Sequence, residues 1–69
     1  MATERPSAPP LTDLEVLRLL ADGLTVDVVA RRVGMSERTV RRRLRRMADE
    51  AGVGTTVELI VHAVRLELI

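Results

Sequence analysis

Residues 31–46 hold eight arginines (Arg31, Arg32, Arg38, Arg41, Arg42, Arg43, Arg45 and Arg46) against one acid, Glu37. The local net charge of this stretch is +7. The remaining three arginines and nine acids give −6, and together they make the chain's +1. A guanidinium is always charged and offers planar, paired donors, so it suits phosphate and the edges of bases. A basic segment set apart in a nearly neutral chain is the footprint of a polyanion partner. Acids for i,i+4 pairing are nearly missing from residues 38–48, so the like charges repel unless a partner offsets them.

Other chemistry is poorly provided for. The chain has one histidine, His62, and no cysteine. A Cys-based zinc site is excluded, a metal site on His62 alone is not viable, and no Ser–His–Asp arrangement can be assembled from acids that mostly begin helices. No Gly-rich phosphate loop is present. The expected sets of catalytic, metal and cofactor-binding residues are therefore empty. Without aromatic residues, base stacking on single strands has no platform. No apolar run approaches the ~20 residues of a membrane span, and "MATERPSAPP" lacks a signal peptide's apolar region. The expectation is a cytoplasmic protein with no membrane partner.

Four short helices must position the arginines. Residues 1–10, with three prolines, read as a disordered tail. In "LTDLE", Thr12 and Glu15 make a capping-box pattern, and Leu14, Leu17, Leu20 and Ala21 recur as an amphipathic stripe before Gly23. Thr25 caps a brief second helix with Val26, Val29, Ala30 and Val33 on one face, ended by Gly34. Ser36 caps a third helix over 37–51, ended by Gly52. Two helices joined by the short "GMS" turn form a helix-turn-helix. On the third helix Val40, Leu44, Met47 and Ala51 share an arc of about 60°. Arg38, Arg41, Arg42, Arg45 and Arg46 face away from it, with Thr39 and Arg43 at the border. Arg43 has three open roles: phosphate contact, a stem laid along the core, or a pair with an acid such as Glu15.

The fourth helix follows a second capping box, Thr55 and Glu58. Val57, Ile60, Val61, Val64 and Leu68 form one apolar face, expected on the bundle. Leu59, Ala63 and Leu66 form another, expected with His62 at an interface with a second copy. The fold class is all-α: a four-helix bundle in which helices 2 and 3 form the helix-turn-helix and helix 4 serves dimerisation.

The stretches "VLRLLADGLT", "VARRVGMSERTVRRRLRRM", "AGV" and "VELIVHAVRLELI", in this order and spacing, resemble the LuxR-type (GerE-like) DNA-binding domain of bacterial transcription regulators. The resemblance covers 11–69. It implies a third helix that reads the major groove and a fourth that dimerises. By position it implies base contacts from Arg41, Arg42 and Arg45, and backbone contacts from Ser36 and Thr39. The charge reading adds phosphate contacts from Arg31, Arg32, Arg38, Arg43 and Arg46. The chain departs from the family in a shorter entry to helix 1, in Val28 where Glu is frequent, in Arg43 where His is frequent, and in Glu67 where Gly is common. That last departure predicts a helix 4 that runs to the C-terminus. Family members usually carry a receiver or ligand-sensing domain; two readings stay open, a stand-alone regulator, which the opening Met and its tail favour, and a domain of a longer regulator.

The expected function is therefore sequence-specific binding of double-stranded DNA by a homodimeric transcription regulator, with RNA polymerase or another regulator as a further partner. Two alternatives stand beside it. One is a protein-interaction module using the outer face of helix 4 and an exposed Val28. The other is a non-specific architectural DNA binder, marked by steep salt dependence without sequence preference.

Overall fold

A computed structural model describes residues 11–69. The tail expected at residues 1–10 lies outside the described residues. Four helices follow in order: α1 Leu11–Ala21, α2 Val26–Val33, α3 Glu37–Ala51 and α4 Thr56–Arg65. Among the described residues there is no strand. The helices close a ring of contacts, with α1 against α2 and α4, and α3 against α2 and α4. Val16, Leu17, Val29, Ala30, Val40, Leu44, Met47, Ala48, Leu59 and Ala63 form the core. Each fully buried Val or Leu contributes about 1.5–3 kcal/mol, and a chain this short has few of them.

Helix ends are defined by the residues that the sequence marks. Ser36 Oγ accepts the Thr39 N–H at 3.1 Å, and Thr55 Oγ1 accepts the Glu58 N–H at 3.1 Å, which satisfies one free donor in each first turn. Glu58 reaches back to the Gly54 N–H at 2.9 Å, one residue earlier than the capping-box pattern expects. Thr25 stands at the start of α2 but makes no capping bond; its hydroxyl donates to Asp27 instead. Gly34 and Gly52 end α2 and α3 in the left-handed conformation, at φ 74° and 75°.

Three expectations are corrected. Thr12 lies inside α1, not at its cap. The inward residues of α1 are Asp13, Val16 and Leu17, with Leu20 partly buried against the core, while Ala21 is exposed. The helix is turned so that Asp13 meets two arginines, described below.

The inward face of α4 is turned from the expected one: Ile60 and Leu68 pack on the core and Leu66 is exposed, as expected, but other positions change places. Leu59 and Ala63, expected at a dimer interface, are core residues at 3% and 1% exposure. Val57, Val61 and Val64, expected inside, are exposed together with Leu66. His62 is half-buried. The small Ala63 lets the α4 backbone approach the bundle, and Leu59 one turn earlier fills the space between.

Helix α4 does not run to the C-terminus. It stops at Arg65, and Glu67 takes φ 58°. The Leu68 N–H bonds to the Ala63 carbonyl at 2.9 Å and the Glu67 N–H to the Val64 carbonyl at 3.0 Å. This is a Schellman ending with a glutamate at the glycine position. It turns Leu68 and Ile69 back onto the core, where both are partly buried, and their burial offsets the steric cost at Glu67. Glu67→Gly is therefore expected to stabilise the domain by about 0.5–1 kcal/mol, because an L-residue in this conformation costs roughly 1–2 kcal/mol and glycine's extra chain entropy returns part of it. Urea denaturation followed by circular dichroism checks this; a loss of stability would show that Glu67 is not strained.

Candidate nucleic-acid interface

The core fixes α3 through Val40, Leu44, Met47 and Ala48. At 3.6 residues per turn the opposite side is then the outward arc, and Arg38, Arg41, Arg42 and Arg45 are all exposed on it. Ser36, which starts the helix, is exposed, and its hydroxyl lies 3.0 Å from that of the half-buried Thr39. The first turn of α3 thus presents two hydroxyls and the positive end of the helix dipole beside the arginines.

Pairing within the chain separates the arginines into groups. Arg41 Nη2 lies 3.5 Å from Glu37 Oε1, and Arg31 Nη2 lies 3.5 Å from Asp27 Oδ2, both between exposed side chains one turn apart. Such solvent-exposed pairs are weak and exchange readily for a phosphate or a base. The Thr25 hydroxyl holds the Asp27 carboxyl below its ordinary pKa, with Arg31 assisting. Arg32, Arg38, Arg42 and Arg45 have no carboxylate within 4.0 Å among the described residues.

Arg43 and Arg46 differ. Arg43 Nη1 donates to Asp13 Oδ1 at 3.1 Å, and Arg46 Nη2 donates to Asp13 Oδ2 at 2.6 Å. Asp13 is only 1% exposed. Arg46 also has Glu50 at 4.0 Å. Arg43 and Arg46, expected to contact phosphate, thus each have a carboxylate partner inside the molecule. Of Arg43's open roles the acid pair is the one observed, with Asp13 in place of the exposed Glu15.

Asp13 is the residue that sequence reasoning missed. The signal was its spacing, since positions 13, 16, 17 and 20 make a single helical stripe in which an acid stands first.

An open groove of about 600 Å³ runs beside Arg41 and Arg45. It is lined further by Val26, Leu44, Ala48, Asp49 and Val53, and by residues 54–56 at the entry to α4. Among the described residues no group of His, Asp or Glu could hold a metal ion, and no helix is long and apolar enough to cross a membrane.

Residues 14–53 match the family model of the homeodomain-like domain, more than half of the 69 residues. The chain belongs to the homeodomain-like helix-turn-helix family. The match runs from α1 through the end of α3 and stops before α4. No curated protein and no solved structure matches the chain. Membership of the homeodomain-like family supports DNA as a partner.

Proposed function

We propose that this homeodomain-like domain is a sequence-specific, double-stranded DNA-binding transcription regulator of the LuxR type, acting as a homodimer. In this reading α3 enters the major groove. Arg41, Arg42 and Arg45 bond guanine edges, and Ser36, Arg38, Thr39, Arg31 and Arg32 hold phosphates. The observation that carries the reading is the division of α3: one side is locked in the core, and the other bears four exposed arginines directly after a capped helix start. Helix-turn-helix proteins place that part of the second helix against base edges.

The homodimer is supported by the exposed stripe on α4. Val57, Val61 and Val64 lie on one side of the helix at 70%, 43% and 52% exposure, and Leu66 follows at 56%. These residues replace Leu59 and Ala63 as the contact surface. Paired domains would set half-sites about 10 bp apart, one turn of duplex. Val61→Glu is expected to turn a dimer into a monomer in sedimentation and to weaken binding to a two-fold site; an unchanged oligomeric state would overturn the assignment of this face.

The reading as a whole is tested by selection from a random duplex pool at roughly physiological salt, with labelled DNA because the chain has no aromatic residue. A retained two-fold motif with guanine-containing half-sites is expected. Retention without a motif would leave a non-specific binder. No retention would favour a protein-interaction module that uses the α4 stripe.

A further inference from the structure

We propose that Asp13 is a positioning residue for DNA recognition: it withholds Arg43 and Arg46 from phosphate, so that of the α3 arginines only Arg38, Arg41, Arg42 and Arg45 meet the duplex. This inference rests on the DNA-binding reading above. Asp13 stands in the first turn of α1, while its two partners lie three residues apart on α3, and the helix contacts that close the bundle join each of α1 and α3 to α2 and α4. The carboxylate therefore makes a polar link across the bundle, one oxygen to each arginine. Its burial leaves it no water to compete for those donors.

Charge is distributed in the same sense. Arg43, Arg46, Asp13 and Glu50 form a cluster whose four charges cancel. A phosphate approaching Arg46 meets two carboxylates as well as the guanidinium. On the helix wheel Arg42, Arg46 and Arg43 stand about 40°, 80° and 140° round from Arg38, and Arg45 and Arg41 lie on its other side, so Arg46 and Arg43 border the outward face beyond Arg42. Phosphate contacts beyond those of the outward face would raise affinity for every duplex alike. By neutralising Arg43 and Arg46, Asp13 keeps that sequence-independent part of the affinity small.

The test is the salt dependence of binding to a labelled random-sequence duplex, measured for the wild type and for Asp13→Asn between roughly 50 and 200 mM salt. Each phosphate contact adds about 0.9 to the slope of log K against log salt. Asp13→Asn is expected to steepen the slope by about 0.9 for each released guanidinium. A folded variant with an unchanged slope would overturn the inference, and a shallower slope would overturn it by showing that Asp13 aims the arginines at phosphate. Should Asp13→Asn fail to fold, the triple variant Asp13→Asn, Arg43→Gln, Arg46→Gln removes the buried charge together with both of its partners. It is expected to keep the wild-type slope, and a slope shallower by about 1.8 would overturn the inference. A wild type that binds no duplex would overturn the DNA-binding reading and this inference together, whereas wild-type binding with the wrong change of slope overturns this inference alone.

Discussion

Replacing Arg43 and Arg46 together by glutamine is expected to unfold much of the protein at room temperature. The cost arises at Asp13, which is 1% exposed and takes one hydrogen bond on each carboxylate oxygen from these two side chains. Removing the partners of a buried charge costs about 3–5 kcal/mol, since the charge is left neither paired nor solvated. A 69-residue domain has a total stability of roughly 3–10 kcal/mol on the usual per-residue scale. Short chains bury a smaller share of their surface and fall toward the lower end. Either single substitution leaves Asp13 one guanidinium, so the two effects are expected to add to less than the double loss. Adding Asp13→Asn to the double variant removes the buried charge and should restore most of the stability. Far-ultraviolet circular dichroism in urea follows the wild type and these four variants. A double variant as stable as the wild type would show that Asp13 finds water or another donor when its arginines are gone.

The helix-turn-helix was legible because local rules agree there. Ser36, Gly34 and Gly52 mark helix ends by properties of single residues, and Val40, Leu44 and Met47 leave one possible inward arc on a helix otherwise full of charge. Helix α4 offered no such contrast. Val57, Leu59, Ile60, Val61, Ala63, Val64 and Leu66 surround most of its circumference, so periodicity allowed two inward faces. The richer valine face appears the better core by hydropathy, yet close packing favours the face with Ala63, where the backbone can draw near. The turn at Glu67 was hidden because glutamate carries no left-handed preference, and its conformation follows from Leu68 and Ile69 packing on the core. Asp13 was hidden by its chemistry. An acid early in a helix ordinarily serves the helix dipole from the solvent side, and its inward turn requires arginines thirty and more residues away.

Changing Arg41, Arg42 and Arg45 to alanine is expected to abolish recognition of the selected sequence while leaving the fold intact. All three side chains are exposed, and the one ion pair among them within 4.0 Å, Arg41 with Glu37, is a weak surface pair. Alanine favours helix, and removing clustered like charges relieves repulsion along α3. Folding stability should therefore hold or rise slightly. Binding should respond in the opposite way. Each arginine bonded to a guanine contributes about 1–3 kcal/mol of discrimination, so the three together give a loss of at least about a hundredfold. The remaining affinity should be the sequence-independent part held by Ser36, Arg38, Thr39, Arg31 and Arg32, equal on selected and random duplexes. Arg38→Ala supplies the contrast: it should weaken binding to every duplex alike and flatten the salt slope by about 0.9. Anisotropy of labelled duplexes separates the two patterns, because lost base contacts change the ratio between sequences and lost phosphate contacts do not. If the triple variant still prefers the selected sequence as strongly as the wild type does, the bases are read from some other surface, and the outward face of α3 serves only as a cationic rail.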